Sequence, residues 1–101
     1  TDLTRWIRTL AQIRSSRKEL IYGEYVELLL TNRQYVYGRR FEGDACIVAL
    51  NNDDSEASVD VNLPIPGSSI CDLISGQVLP VENGRVHMVL QGHEGRIYQV
   101  K

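Results

Sequence analysis

The chain changes periodicity once, and that change limits what it can fold into. Leu3, Ile7, Leu10 and Ala11 recur at helical spacing, with Trp6 and Ile13 widening the apolar stripe. This predicts one helix from Leu3 to about Ser16. Asp2 is its expected N-cap, and Arg14, Arg17 and Lys18 suit the negative end of its dipole. Ser15 and Ser16 weaken helix propensity, and Gly23 punctuates the change. From Glu24 onward the period is two.

Val26, Leu28 and Leu30 are expected on one strand face, and Tyr35, Tyr37 and Phe41 on a face of the next. Glu42-Gly43-Asp44 signals a hairpin turn. Ala45 to Leu50 is apolar on both faces, as in a central strand covered on two sides. Asn51 to Ser55 is a polar loop. Val59, Val61 and Leu63 then alternate with Ser58, Asp60 and Asn62, a half-buried strand ended by Pro64, Pro66 and Gly67. Further strands are expected at Ser69 to Ile74, Gln77 to Val81, Val86 to Leu90 and Arg96 to Val100. Asn83-Gly84 is the strongest hairpin signal of all. The expected fold is all-β: an antiparallel sandwich of about eight strands, Greek-key in type, preceded by one N-terminal α-helix.

A length of 101 residues suits one compact domain, and 43% hydrophobic with 24% charged residues suits a globular one. No apolar run approaches the roughly 20 residues that cross a bilayer, so no membrane partner is expected. No signal-peptide pattern opens the chain, and the compartment stays open. A net charge of -2 argues against nucleic acid as a partner. Charge is nevertheless uneven: residues 1 to 20 carry +3 and the remainder -5. The arginines of the helix fit a solvated or inter-domain face better than a phosphate or membrane contact. Cys46 and Cys71 lie in strand-like runs and are expected to be free thiols acting as small core groups.

Catalytic chemistry needs a nucleophile or base beside an orienting partner. His87 alternates with core residues and should face solvent, and His93-Glu94 sits in a turn between Gly92 and Gly95. Asn51, Asn52, Asp53 and Asp54 lack EF-hand spacing and read as a plain turn, so no metal and no cofactor is expected. Glu24, Glu42 and Asp72 read as ordinary surface charges, not the paired acids of a glycosidase. No phosphate loop, nucleophile elbow or CxxC occurs. Tyr22, Tyr25, Tyr35, Tyr37 and Tyr98 are candidates for a sugar-stacking platform, with Tyr35 and Tyr37 best placed. The competing reading buries these rings in the sandwich. An immunoglobulin-like domain does not fit, because Trp6 precedes both cysteines.

The order of features resembles one family. Leu10-Ala11-Gln12-Ile13-Arg14 followed by Leu20-Ile21-Tyr22-Gly23-Glu24-Tyr25 is similar to the "LIALR…ALRYGDY" passage of the alpha-amylase family of glycoside hydrolases. There the last barrel helix enters a C-terminal sandwich. Tyr35 to Arg40 resembles the family's "VFAFARR" strand, Ile47 to Asn52 its "VVLNNS", Asp72 to Gln77 its "DLLTGE", and Gly95 to Tyr98 its closing strand. The neopullulanase and cyclomaltodextrinase branch is the most similar. Ser15 to Glu19 departs from the family's "ENP" turn and leaves the helix end open.

The resemblance implies a parent enzyme that hydrolyses alpha-glucosidic bonds of starch-like glucans, with its catalytic acids on a barrel outside this sequence. Residues 1–20 would be the last barrel helix and 21–101 the non-catalytic C-terminal sandwich. The implied partners are the catalytic barrel, alpha-glucans and a second copy through the helix. The helix face expected to meet barrel or subunit is Leu3, Trp6, Ile7, Leu10 and Ile13.

Overall fold

A computed structural model describes residues 2–101, the side chains of Asp2, Leu3, Trp6, Leu10 and Arg14 excepted. The expected N-cap Asp2 and the face residues Leu3, Trp6 and Leu10 therefore lie outside the described side chains. The helical segment is two helices, α1 (Asp2–Ser16) and α2 (Lys18–Tyr22). Eight strands follow: β1 (Glu24–Leu30), β2 (Gln34–Phe41), β3 (Asp44–Asn51), β4 (Ala57–Asn62), β5 (Ser69–Asp72), β6 (Val78–Pro80), β7 (Arg85–Leu90) and β8 (Glu94–Val100). Among the described residues no helix is long and apolar enough to cross a membrane.

The strands form a six-stranded sheet of order β1-β2-β3-β8-β5-β6 and a two-stranded sheet of β4 and β7. Every pairing is antiparallel. After β3 the chain crosses to the small sheet for β4 and returns at β5 on the far side of β8, as the Greek-key expectation requires.

Alternation explains the layers. Val59 and Val61 from β4 and Val86, Met88 and Leu90 from β7 point inward, while Ser58, Asp60, Arg85 and His87 point out. They meet Val36, Ala45, Ile47, Ala49, Ile70, Tyr98 and Val100 of the large sheet in one core. Each large aliphatic side chain sealed there contributes about 1.5–3 kcal/mol by leaving water. β3 is buried on both faces, as its unbroken apolar run predicts. Its other face presents Cys46 and Val48, which pack with Ile97 and with Leu20 of α2 into a second, smaller cluster. Ile13 of α1 packs against that cluster.

Two strand expectations need correction. A bulge between Glu27 and Leu29 breaks the alternation of β1, so Leu28 and Leu29 both reach the main core and Leu30 is 63% exposed. Asn83-Gly84 is a tight turn with φ of 54° and 74°, but it closes only the bridge between Glu82 and Arg85. The flanking strands belong to different sheets: β6 pairs with β5, and β7 with β4. Local turn chemistry was right, and tertiary packing chose other partners. Glu42-Gly43, with φ of 52° and 86°, does form the β2–β3 hairpin as a type I′ turn.

Cys46 and Cys71 are both free. Each is the register partner of Gln99, one on either side of β8. That places them two strand spacings apart, about 10 Å, beyond the roughly 7 Å that a disulfide can bridge.

Candidate functional site

The inner face of the large sheet is closed by β4 and β7, so any site for another molecule must be sought elsewhere. On the outer face α2 lies against β2 and β3, and α1 against β8. Their cover is incomplete. Ile7 is 58% exposed, Tyr22 69% and Tyr25 48%, with Ile21 and Leu30 also exposed. Leu30 pairs with Tyr35 in register, so both stand on this outer face. A groove of about 390 Å³ opens between α1 and the tips of β2 and β3, lined by Ile7, Tyr35 and Leu50 with Thr31, Arg33, Gln34 and Asn52.

Next to it stands a tyrosine cluster. Tyr35 and Tyr37 are two apart on β2 and share a face, with ring centroids 5.3 Å apart and planes tilted by 35°. Tyr25 joins them from β1, 5.4 Å from Tyr37 and tilted by 31°. Tyr25 pairs with Arg39, four residues along β2 from Tyr35, a gap of about 13 Å between backbones. Yet the hydroxyls of Tyr25 and Tyr35 are hydrogen-bonded to each other. The two outer rings therefore lean together over Tyr37 as an arch. That hydrogen bond, with partial burial, pushes the Tyr35 hydroxyl up to about 12. The sequence singles out Tyr35 and Tyr37 by their spacing, whereas the arch depends on the β1–β2 register. Of the other tyrosines, Tyr98 lies in the core and Tyr22 packs on Phe41 at 5.9 Å.

The acidic side chains are engaged. Asp72 is 2% exposed, a correction to its reading as a surface charge. Its Oδ1 accepts from the Ile74 and Ser75 N–H groups and its Oδ2 from Arg96 Nη1 at 3.0 Å, so it ties the β5–β6 turn to β8. Arg96 also binds Glu94, and that contact chiefly holds the guanidinium charged. The pattern Asp-x-x-Ser-Gly, an Asx-turn signal, was the clue to Asp72 in the sequence. Glu24 is paired with Arg40 at 3.0 Å, and that bond lowers its carboxyl below the usual range. Glu19 is buried and accepts from the Cys46 thiol at 3.3 Å. Burial first, and Glu19 second, push that thiol up to about 12.

His87 faces solvent and pairs with Asp60 at 2.9 Å, beside a cleft of about 500 Å³ that Pro80, Glu82 and Arg85 also line. His93 bonds Asp54 at 2.6 Å in the loop at the opposite end of β7, which lowers the Asp54 carboxyl. Asn51 is buried and binds the Ser55, Leu90 and Gln91 carbonyls, so it anchors that loop. Among the described residues no group of three or more His, Cys, Asp or Glu is placed to hold a metal ion.

Residues 26–97 match the family described as Maltogenic Amylase, C-terminal domain. The chain belongs to that family. It is 31% identical over 88 residues to a cyclomaltodextrin glucanotransferase of Klebsiella oxytoca, a match covering 87% of the chain and 13% of the relative. A gamma-CGTase from alkalophilic Bacillus clarkii matches at 28% identity and a TM-score of 0.74 over 94% of this domain and 16% of that chain. The structure of AmyP in complex with maltose superposes with a TM-score of 0.83 at 20% identity, covering 99% of the domain and 20% of that chain. The domain thus spans a small part of each relative. The alpha-amylase family resemblance read from the sequence is correct at the level of the family and of the sandwich.

Proposed function

We propose that this domain is a non-catalytic accessory module of an alpha-amylase-family enzyme that hydrolyses alpha-glucosidic bonds in starch-like glucans. Its outer sheet face and α1 dock on the catalytic barrel of the same polypeptide. One observation carries the reading: the large exposed apolar side chains Ile7, Ile21, Tyr22, Tyr25 and Leu30 stand on or beside α1, α2 and the outer face of β1. A contiguous apolar surface of this kind is costly in water and marks a contact with protein. The engaged carboxylates support the non-catalytic part of the reading, since a retaining glycosidase needs two acids about 5 Å apart across a scissile bond.

Ile7 and Ile13 of the expected helix face fit this role in different ways. Ile13 turns to the sandwich, and Ile7 stays outward beside the groove. Glucan contact at Tyr35 and Tyr37, and self-association through α1, are tested alongside. The tilted, hydroxyl-linked rings favour protein contact over sugar stacking, which uses open coplanar faces.

The decisive experiment compares the 101-residue chain with the full-length enzyme. The chain alone is expected to release no sugar from maltoheptaose and to give no heat when titrated with it. Tyr25→Asp in the whole enzyme is expected to lower its thermal stability. Hydrolysis by the chain alone, abolished by one carboxylate substitution, would overturn the reading. Maltoheptaose binding lost in Tyr35→Ala would move the face to the glucan.

A further inference from the structure

The helical segment is divided at one residue. Arg17 has φ -120° and ψ 117°, an extended conformation between two helices. On the α1 side the helix closes on itself: Ser15 Oγ donates to Gln12 C=O and Ser16 Oγ to Ile13 C=O, both at 2.8 Å. These serines satisfy carbonyls that a continuing helix would have used. On the other side Leu20 and Ile21 N–H bind Arg17 C=O, and Gly23 N–H binds Glu19 C=O at 3.0 Å.

From Arg17 onward the segment is fastened to the sheet by side chains. The Arg17 guanidinium donates to Gln99 Oε1 on β8. The Cys46 thiol of β3 donates to buried Glu19. Arg39 Nε of β2 donates to Gly23 C=O at 2.9 Å, and Leu20 is 3% exposed in the outer cluster. Gly23 itself is held so closely that a Cβ would lie 2.0 Å from Glu19 C=O and 3.1 Å from Arg40 N. Three strands thus hold five residues of helix.

We infer that Arg17 is a joint: α2 belongs mechanically to the sandwich, and α1 is an arm that can be displaced about Arg17 while α2 and the sandwich stay folded. The boundary of the cooperative unit then falls at Arg17, ahead of the seam at residues 20 and 21 that the family resemblance implies. The inference is independent of what the outer face binds. It also gives a use to the buried Glu19 and Cys46, which the proposed function leaves without one. A thiol held near 12 keeps its proton throughout the physiological range and remains a donor to Glu19.

The test is hydrogen exchange, read by mass spectrometry on the 101-residue chain. Amides of Leu20, Ile21 and Gly23 are expected to exchange within about tenfold of β2 and β3, and those of α1 at least about 100-fold faster. Cys46→Ala is expected to speed exchange in 19–23 by about tenfold and leave α1 unchanged. Gln99→Met, which keeps the volume and removes the Arg17 acceptor, gives the same reading should Cys46→Ala fail to fold. A single shared rate for α1 and α2, or a variant that speeds both equally, would overturn the joint.

Discussion

The two faces of the large sheet are held in different ways. Inside, Ile47, Ile70, Tyr98 and their neighbours meet Val61, Val86 and Met88 of the small sheet, and nearly all the contact is aliphatic. Outside, a few apolar groups share the surface with hydrogen-bonded polar ones: Glu19 with Cys46, Arg17 with Gln99, Tyr25 with Tyr35. The inner face is sufficient for a fold. The outer face is arranged to be met by something else, and its exposed Ile7, Tyr22 and Tyr25 carry no compensation within the described residues.

Truncation tests the contrast most strongly. Met88→Ala, at a fully buried position, is expected to destabilise the domain by about 2–5 kcal/mol in urea unfolding. Ile7→Ala is expected to change it by no more than about 0.5 kcal/mol. Equal losses would erase the distinction between the faces. Asp72→Ala comes next, at about 2–3 kcal/mol, because it strands two N–H groups and leaves Arg96 with Glu94 alone. Asp72→Asn, which keeps the turn acceptor, should recover part of that loss.

The smallest effect is on pH. Cys46 and Tyr98 are raised by burial and Tyr35 by its bond to Tyr25, each to about 12 from ordinary values of 9.0 and 10.0. A raised acid keeps its proton in the fold after the unfolded chain has lost it. Its contribution is therefore complete below the unfolded value and is lost as pH climbs through the window from about 9 to 12. Stability should fall over that range, and Cys46→Ala should remove the earliest part of the fall. At acid pH the opposite sign applies to Glu24 and Asp54, whose lowered carboxyls lose their small contributions as pH drops through their folded values.

What could be read beforehand follows the range of the interactions. β4 and β7 alternate cleanly because one face is in the core and one in water, so their pattern is written locally. The helical start and the Glu42-Gly43 hairpin were legible for the same reason. The bulge in β1 was not, since an extra residue leaves no compositional mark. The partners of β6 and β7 were not either, because Asn83-Gly84 specifies a turn and not a sheet. Asp72 and Glu19 depend on groups 24 and 27 residues away, and a carboxylate with no neighbouring partner reads as a surface charge. The docking face was legible in part: Tyr35 and Tyr37 by spacing, Tyr25 only once the strand register brought it over. The family came from motif order, which no single residue pattern carried.

The claim that the outer face serves the catalytic barrel has one direct test. Hydrogen exchange of this domain is measured alone and within the full-length enzyme. Added protection in α1, at Ile21 to Tyr25 and at Tyr35 to Tyr37, with β4 and β7 unchanged, is the predicted result. Added protection on the solvent side of β4 and β7, with the tyrosine arch unchanged, would contradict it.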